Sequence, residues 1–258
     1  MREGMFMDSI STSGTVFVCL FGGALLGIFL RKILPDEHLS SASRDLVKMG
    51  IGTIATMTAL VLGLLVASAK NNYDTQSREM TEMSAKIVLL DRVLAHYGPE
   101  ANHARDLLRN SVAKLIDSTW SDKRTRRSQM AAPISLGSEV LFDQIQNLSP
   151  ATDAQRSLQT RALNLAVDIG QMRWLMYQQE QSSLSKPLLT VVVFSFMISF
   201  ISFSLHSPPN GTIVVTLFLC ALSVSGAIFL VLEMYNPYSG VIQIPSDALR
   251  SALSQLGQ

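Results

Sequence analysis

The sequence predicts an all-α, multi-pass membrane protein: four transmembrane helices, with a helical soluble domain inserted between the second and the third. Three observations point there. Apolar residues make up 48% of the 258-residue chain and charged residues only 16%, against about 25% in an average globular protein. Four nearly uncharged runs each approach the ~20 residues that cross ~30 Å of hydrocarbon as a helix. The block between the second and third runs is polar and shows helical periodicity. Within a bilayer core a helix satisfies its own backbone, which an isolated strand does not.

The first run, from Gly14, carries no charge until Arg31 and Lys32. It differs from a signal peptide because Glu3 and Asp8 stand beside Arg2 and no small-x-small cleavage site follows. It reads as a retained span over about 14–31. The second covers about 47–69 with one charge, Lys48, at its edge. The third follows Pro187 and covers about 188–205, and the fourth covers about 212–233 and ends at Glu233. The resulting domains are an N-terminal transmembrane hairpin (1–69), a helical soluble domain (70–187), a C-terminal transmembrane hairpin (188–235) and a tail (236–258) with a short helix.

Four crossings put both termini and the soluble domain on one side. That side carries Arg2, Lys70, Arg78, Lys86, Arg173, Lys186 and Arg250 near the membrane. The short loop Arg31–Val47 and its edge carry Arg31, Lys32, Arg44 and Lys48. Seven against four places the soluble domain and termini in the cytoplasm by the positive-inside rule.

Inside the soluble domain, Ile87, Leu90, Leu94 and Tyr97 recur at helical spacing. Gly98-Pro99 breaks that helix, and Pro99 suits the first turn of the next. Ala104, Leu108, Val112 and Leu115 give the next helix its apolar face. "SDKRTRRSQMAAPISLG" reads as a loop, and Leu141, Ile145 and Leu148 mark a short helix. A long helix follows, capped by Ser149 or Thr152. On it Leu158, Leu165 and Met172 are seven apart, as are Ala162, Ile169 and Met176. That seam suits packing in the subunit core or against another long helix. In the tail, Asn236-Pro237 and Gly240 predict a turn. Ser246 then caps a helix whose apolar face is Leu249, Leu253 and Leu256, packed back on the soluble domain.

Each span carries a stripe of small residues. The second has Gly52, Thr56, Ala59, Gly63 and Ala67 on one face, running on into Asn71 and Asp74. The others have Cys19, Gly23 and Gly27, then Ser195, Ser199 and Ser202, then Thr212, Thr216, Cys220, Ser223 and Ala227. Small residues let helix backbones approach closely, so four stripes predict a tight bundle. Because its stripe continues into polar residues, the second span is the candidate pore wall. Met57, Leu60 and Leu64 beside it are candidates for an apolar gate that closes by dewetting. The two cysteines, Cys19 and Cys220, lie inside apolar runs and read as small buried hydrophobes.

No Asp, Glu, Lys, Arg or His stands at the middle of a span. Such groups mark proton relays, coupled transport and voltage sensing, so pumps and proton-coupled carriers are disfavoured and passive pores are not. The histidines are His38, His96, His103 and His206. Glu100 and His103 have the Glu-x-x-His spacing of di-iron bundles, without the second motif that such a site needs. With no phosphate loop, CxxC or nucleophile signature, the chain is expected not to be an enzyme and to use no cofactor or metal. Its net charge of +1 gives no pull toward nucleic acid. Lys123, Arg124, Arg126 and Arg127 form a basic cluster suited to anionic lipid headgroups or simply to solvent.

Three stretches, "GLLVASAKNNYDTQ" (Gly63–Gln76), "LLDRVLAHYGPEANHAR" (Leu89–Arg105) and "LEMYNPYSG" (Leu232–Gly240), together with the two-plus-two layout of spans, resemble a bacterial family of four-span membrane proteins of unknown function, often labelled bestrophin-like. The residues that carry the resemblance are Lys70, Asp74, Asp91, Arg92, Tyr97, Gly98, Pro99, Glu100, Glu233, Asn236, Pro237 and Gly240. Bestrophins are pentameric anion channels whose second span lines the pore. The resemblance therefore implies a bacterial inner-membrane channel that assembles with copies of itself and passes ions. It departs in two places. The second span has no aromatic residue before Tyr73, and no acid follows the Asn-Pro turn until Asp247, so a calcium site is not implied.

Two function classes follow. One is a homo-oligomeric channel lined by the second helix, with anions as the expected cargo and the bilayer and its own copies as partners. The other is a non-conducting, membrane-anchored sensor or interaction module whose helical domain binds a partner or lipid headgroups.

Overall fold

The computed structural model describes the backbone over residues 3–33, 41–120, 133–181, 186–207 and 210–257, and side chains over 9–33, 49–120, 139–179, 187–207 and 210–257. Among the described residues it contains eight α-helices and no strand. In chain order these are α1 (Glu3–Ile33), α2 (Ser41–Tyr97), α3 (Asn102–Thr119), α4 (Pro133–Gln146), α5 (Asp153–Gln181), α6 (Lys186–His206), α7 (Gly211–Met234) and α8 (Asp247–Gln255). The protein is an all-α, multi-pass membrane protein. Ser9–Ile33, Met49–Tyr97, Pro187–His206 and Gly211–Met234 are each long and apolar enough to cross a bilayer.

Two compact units are present. One comprises Glu3–Asn72 and Ser183–Tyr235; the other includes Tyr73–Ser182 and Asn236–Gln258. The 57 residues of α2 contribute to both. At 1.5 Å per residue that helix is about 85 Å long, far more than the ~30 Å of a bilayer core.

The membrane unit is organised around α1, which packs against both α6 and α7. The α6 contact is set by two glycines. A Cβ on Gly23 would lie 3.2 Å from Met197 Cγ and 3.3 Å from Ile201 Cγ1. One on Gly27 would collide with the Ile201 carbonyl oxygen and lie 2.8 Å from the Ser204 Cβ. Only glycine permits that approach of backbone to backbone. On the α7 side, Phe17 and Phe21 are stacked at 5.8 Å, and Phe218 meets both edge-on at 5.4 and 5.5 Å. The buried Ser225 hydroxyl donates to the Ser13 carbonyl at 2.6 Å. Val16, Leu20 and Ala24 of α1 share one core cluster with Leu65, Val192, Phe196, Phe200, Ala221 and Ile228.

The polar-helix unit holds the larger core, from Met80, Met83, Ile87, Leu90 and Leu94 through Leu108, Val112 and Ile145 to Ile244 and Leu249. α2 ends at Tyr97 because Gly98 takes a φ of +128° and Pro99 starts a single 3-10 turn over Pro99–Ala101. The expected apolar face of α3 is buried at Ala104, Leu108, Val112 and Leu115. Thr152, not Ser149, caps α5: its hydroxyl accepts from the Gln155 amide at 3.2 Å, while Gln155 Oε1 accepts from the Ala151 amide at 2.8 Å. Gln155 Nε2 donates to the Tyr97 carbonyl at 3.1 Å, tying the start of α5 to the end of α2. Gln159 Nε2 likewise lies 2.9, 3.1 and 2.8 Å from the carbonyls of Ile145, Gln146 and Leu148, serving the end of α4. Of the two seven-residue series on α5, Ala162, Ile169 and Met176 are buried in this core, and Leu158, Leu165 and Met172 pack against it.

One buried ion pair joins three chain segments. Arg105 of α3 donates from Nε to Asp91 Oδ1 at 2.8 Å and from Nη2 to Oδ2 at 3.0 Å. The Gly257 amide donates to the same Oδ2 at 3.4 Å. The Asp91 hydrogen bonds hold the Arg105 guanidinium above its ordinary pKa. Elsewhere Lys86 Nζ donates to Asp168 at 2.8 Å, Gln179 Nε2 to Glu79 Oε1 at 3.2 Å, and the Trp120 indole to the Ile244 carbonyl at 2.9 Å.

Four expectations are corrected. α2 begins at Ser41, so Arg44 and Lys48 lie on its first turns; no Gly or Pro interrupts the helix before Gly50. α4 begins at Pro133, where proline's fixed φ suits a first turn, and not after Gly137. Ser246 precedes α8, but its hydroxyl makes no cap and accepts from Arg250 Nε at 2.8 Å instead. Cys19 and Cys220 are exposed on the isolated chain, because α1 and α7 bury other faces. Lys123, Arg124, Arg126 and Arg127, together with His38, Pro208 and Pro209, lie outside the described residues.

Two substitutions test the packing. Gly27→Val should destabilise the protein by about 1–3 kcal/mol through overpacking, read as a lower detergent-unfolding midpoint. Asp91→Ala, which strands a half-buried guanidinium, should cost about 3–5 kcal/mol by the same measurement.

Candidate functional site

The membrane part of α2 has two unlike faces. Ile51, Thr58 and Leu65, seven apart, and then Ala69 are buried in the membrane unit. Val61 and Leu62 pack beside Leu65. The Thr58 hydroxyl is satisfied within the helix, donating to the Ile54 carbonyl at 2.7 Å. The opposite face is bare. Thr56, Ala59, Gly63 and Ala67 are exposed and Gly52 is half-buried. Met57, Leu60 and Leu64 are exposed by 65, 65 and 63%, against 6% for Ile51 and Leu65. A Cβ added at Gly50, Gly52 or Gly63 would meet nothing within 4 Å. These glycines are therefore not explained by packing inside the subunit, in contrast to Gly23 and Gly27.

Both sets of sequence candidates thus share one uncovered surface. Its polarity is modest. Thr56 Oγ1 donates to the Thr53 carbonyl at 2.9 Å, and Thr53 Oγ1 to the Met49 carbonyl at 3.0 Å. Their donors are used, and their oxygens retain acceptor capacity. Lys70 is exposed and Asp74 half-buried beyond the stripe.

The four small-residue stripes are not equivalent, which corrects the expectation of one tight four-stripe bundle. Gly23 and Gly27 pack. On α6, Ser199 is buried and donates to the Ser195 carbonyl at 2.9 Å, with Ser195 and Ser202 half-buried. On α7, Thr212, Thr216, Cys220 and Ser223 are exposed and Ala227 is half-buried. That helix packs through Ala221, Ser225, Ile228 and Val231 instead.

The stretches that carried the resemblance fall mostly at structural joints. Asp91 forms the buried pair with Arg105, while Arg92 is exposed. Tyr97 is buried, and desolvation, with the charge of Glu100 adding to it, holds its phenol above the ordinary pKa. Gly98 and Pro99 make the break, and Glu100 is exposed. Glu233 is buried near the end of α7. Asn236, Pro237 and Gly240 build the tail turn: Ser239 donates to the Asn236 carbonyl at 3.1 Å, Ile244 to the Pro237 carbonyl at 2.6 Å, and Gly240 has φ +97°. Arg105 was not among the candidates, because its pairing with Asp91 spans the helix break. Gln155 was readable, since Thr152-x-x-Gln155 is a capping-box spacing. No cluster of three or more His, Cys, Asp or Glu able to hold a metal occurs among the described residues.

Comparison with known proteins adds the family. A Bestrophin-like domain model matches residues 18–249. The chain belongs to the Bestrophin-like family. Its fold is similar to that of a bacterial bestrophin homologue from Klebsiella pneumoniae, solved as a series of single-residue variants. Two of these have TM-scores of 0.62 and 0.60 at 13% identity, covering 95% of this chain and 98% of that one. A third has a TM-score of 0.62 at 14% identity, covering 96% and 98%. No curated protein matches the chain.

The two faces of α2 predict a contrast. Leu65→Ala should lower stability by about 2–5 kcal/mol. Leu60→Ala and Leu64→Ala should change the unfolding midpoint of the detergent-dispersed monomer little, within about 0.5 kcal/mol.

Proposed function

We propose that this Bestrophin-like protein is a homo-oligomeric membrane channel, with α2 of each copy facing a shared axis. The observation that carries the reading is the bare face of α2. A helix that spends one face on its own subunit and keeps glycine, threonine and alanine uncovered on the other is built for neighbours or for water. Lipid needs no such stripe, since larger apolar side chains serve there equally well. Thr56, Ala59, Gly63 and Ala67 then line the path, with Gly52 at one end. Met57, Leu60 and Leu64, at the edge of that stripe, form the constriction that opens and closes by wetting.

Anions are the proposed cargo and a pentamer the proposed assembly, both taken from what bestrophin membership implies. The cytoplasm is the proposed location of the polar helices and both termini, on the distribution of Lys and Arg. The membrane is a bacterial inner membrane, in keeping with the bacterial origin of the similar structures. The absence of mid-span ionisable groups in the sequence fits passive flow and offers no route for proton coupling.

A non-conducting interaction module finds one supporting feature. Val167, Trp174 and Leu175 of α5 are exposed by 43, 49 and 51%, an apolar strip outside the membrane unit. Ion flux separates the readings. Purified protein in liposomes should pass chloride faster than potassium, and Leu60→Ser should raise the basal flux severalfold by wetting the constriction. Liposomes no leakier than protein-free controls, with either the parent or the Leu60→Ser protein, would leave only the module.

A further inference from the structure

Outside α2, the polar-helix unit contains a cavity of about 40 Å³ between α2, α3, α4 and α5. Its wall is aliphatic, built from Ile87, Leu108, Val112, Leu141 and Ile169. Three lining residues break that pattern: Ser111 of α3, and Gly170 and Arg173 of α5. Among the described residues neither Ser111 nor Arg173 has a hydrogen-bond or ion-pair partner. Both side chains are half-buried and keep access to solvent, and desolvation by the surrounding wall lowers the Arg173 pKa from its ordinary value. The other charged pairs of this unit, Arg105 with Asp91 and Lys86 with Asp168, are matched. Gly170 is the second oddity. A glycine inside a 29-residue helix costs about 1 kcal/mol against alanine, and no packing requires this one, since a Cβ there would meet nothing within 4 Å. Its effect is to keep space open one turn from Arg173.

We propose that this cavity is a binding site for a small alkyl carboxylate, held by the Arg173 guanidinium and the Ser111 hydroxyl, with its alkyl end against the aliphatic wall. The planar guanidinium fork matches a carboxylate with two parallel hydrogen bonds. The hydroxyl adds a third donor. A single water needs roughly 10–15 Å³, so the volume takes about three water-sized groups, the size of the alkyl part of propionate or butyrate. A phosphate dianion would bring two charges to one cation and gain nothing from the aliphatic wall. A halide would leave that wall unused. The site lies wholly within the polar-helix unit and does not depend on ion passage.

The test uses the full chain in lipid nanodiscs and saturation-transfer NMR on the methyl protons of butyrate, with neutral butyramide and sodium chloride as comparisons at matched ionic strength. Butyrate should bind and butyramide should bind at least about tenfold more weakly, the value of a charge-assisted hydrogen bond. Arg173→Gln should weaken butyrate by about tenfold or more, and Arg173→Lys by less, since it keeps the charge and loses the fork. Gly170→Leu should abolish binding by filling the cavity while leaving the unfolding midpoint unchanged or raised. If Arg173→Gln does not fold, the lysine and leucine variants decide. Equal binding of butyramide, displacement of butyrate by equimolar chloride, or full affinity in Gly170→Leu would overturn the proposal.

Discussion

The structure depends on the close approach of α1 to α6. Gly27 sits so near the Ile201 carbonyl that no side chain fits between them. In lipid there is no hydrophobic drive to bring apolar helices together, so contact comes from dispersion and weak hydrogen bonds over short distances. With α1 held against α6 on one side and against α7 through Phe17, Phe21 and Phe218 on another, the membrane unit has a centre. Leu65 of α2, flanked by Val61 and Leu62, joins the same core, and Ile51 and Thr58 are buried on the same side of the helix. Its opposite face is left over.

That remainder distinguishes the four small-residue stripes. Each looks alike in sequence, because glycine, serine, threonine and alanine at three- and four-residue spacing occur wherever helices touch anything closely. In three dimensions one stripe meets a neighbouring backbone, while on α2 a side chain added at Gly52 or Gly63 would touch nothing among the described residues. A glycine that packs and a glycine that does not thus carry different meanings, and only the second needs a partner from outside the chain or a column of water.

Much of the architecture was legible. Hydropathy and span length place the four crossings. Gly98-Pro99 marks the end of α2, since a left-handed glycine followed by proline stops a helix locally. The apolar faces of α3 and α8 follow from periodicity alone. The buried side of α2 was not legible. Ile51, Thr58 and Leu65 are no more apolar than Met57, Leu60 and Leu64, and in a membrane segment hydropathy does not separate a packed face from an open one. The ion pair of Asp91 with Arg105 was hidden for another reason: it bridges fourteen positions across a chain reversal whose geometry periodicity does not report. The helix start at Ser41 was missed because its polar first turn resembles a loop in composition, and the start at Pro133 because Pro133 and Gly137 both read as loop residues.

The central claim is that the uncovered face of α2 borders water shared between copies. Cysteine placed at Thr56, Ala59 and Gly63, one at a time, in a background with the exposed Cys19 and Cys220 replaced by alanine, tests it through labelling by a charged, membrane-impermeant thiol reagent in reconstituted vesicles. Labelling at all three positions, with Thr58→Cys and Leu65→Cys unreactive, is the expected result. Reaction confined to positions from Lys70 onward, with the stripe silent, would place that face against lipid or a dry interface and contradict the account.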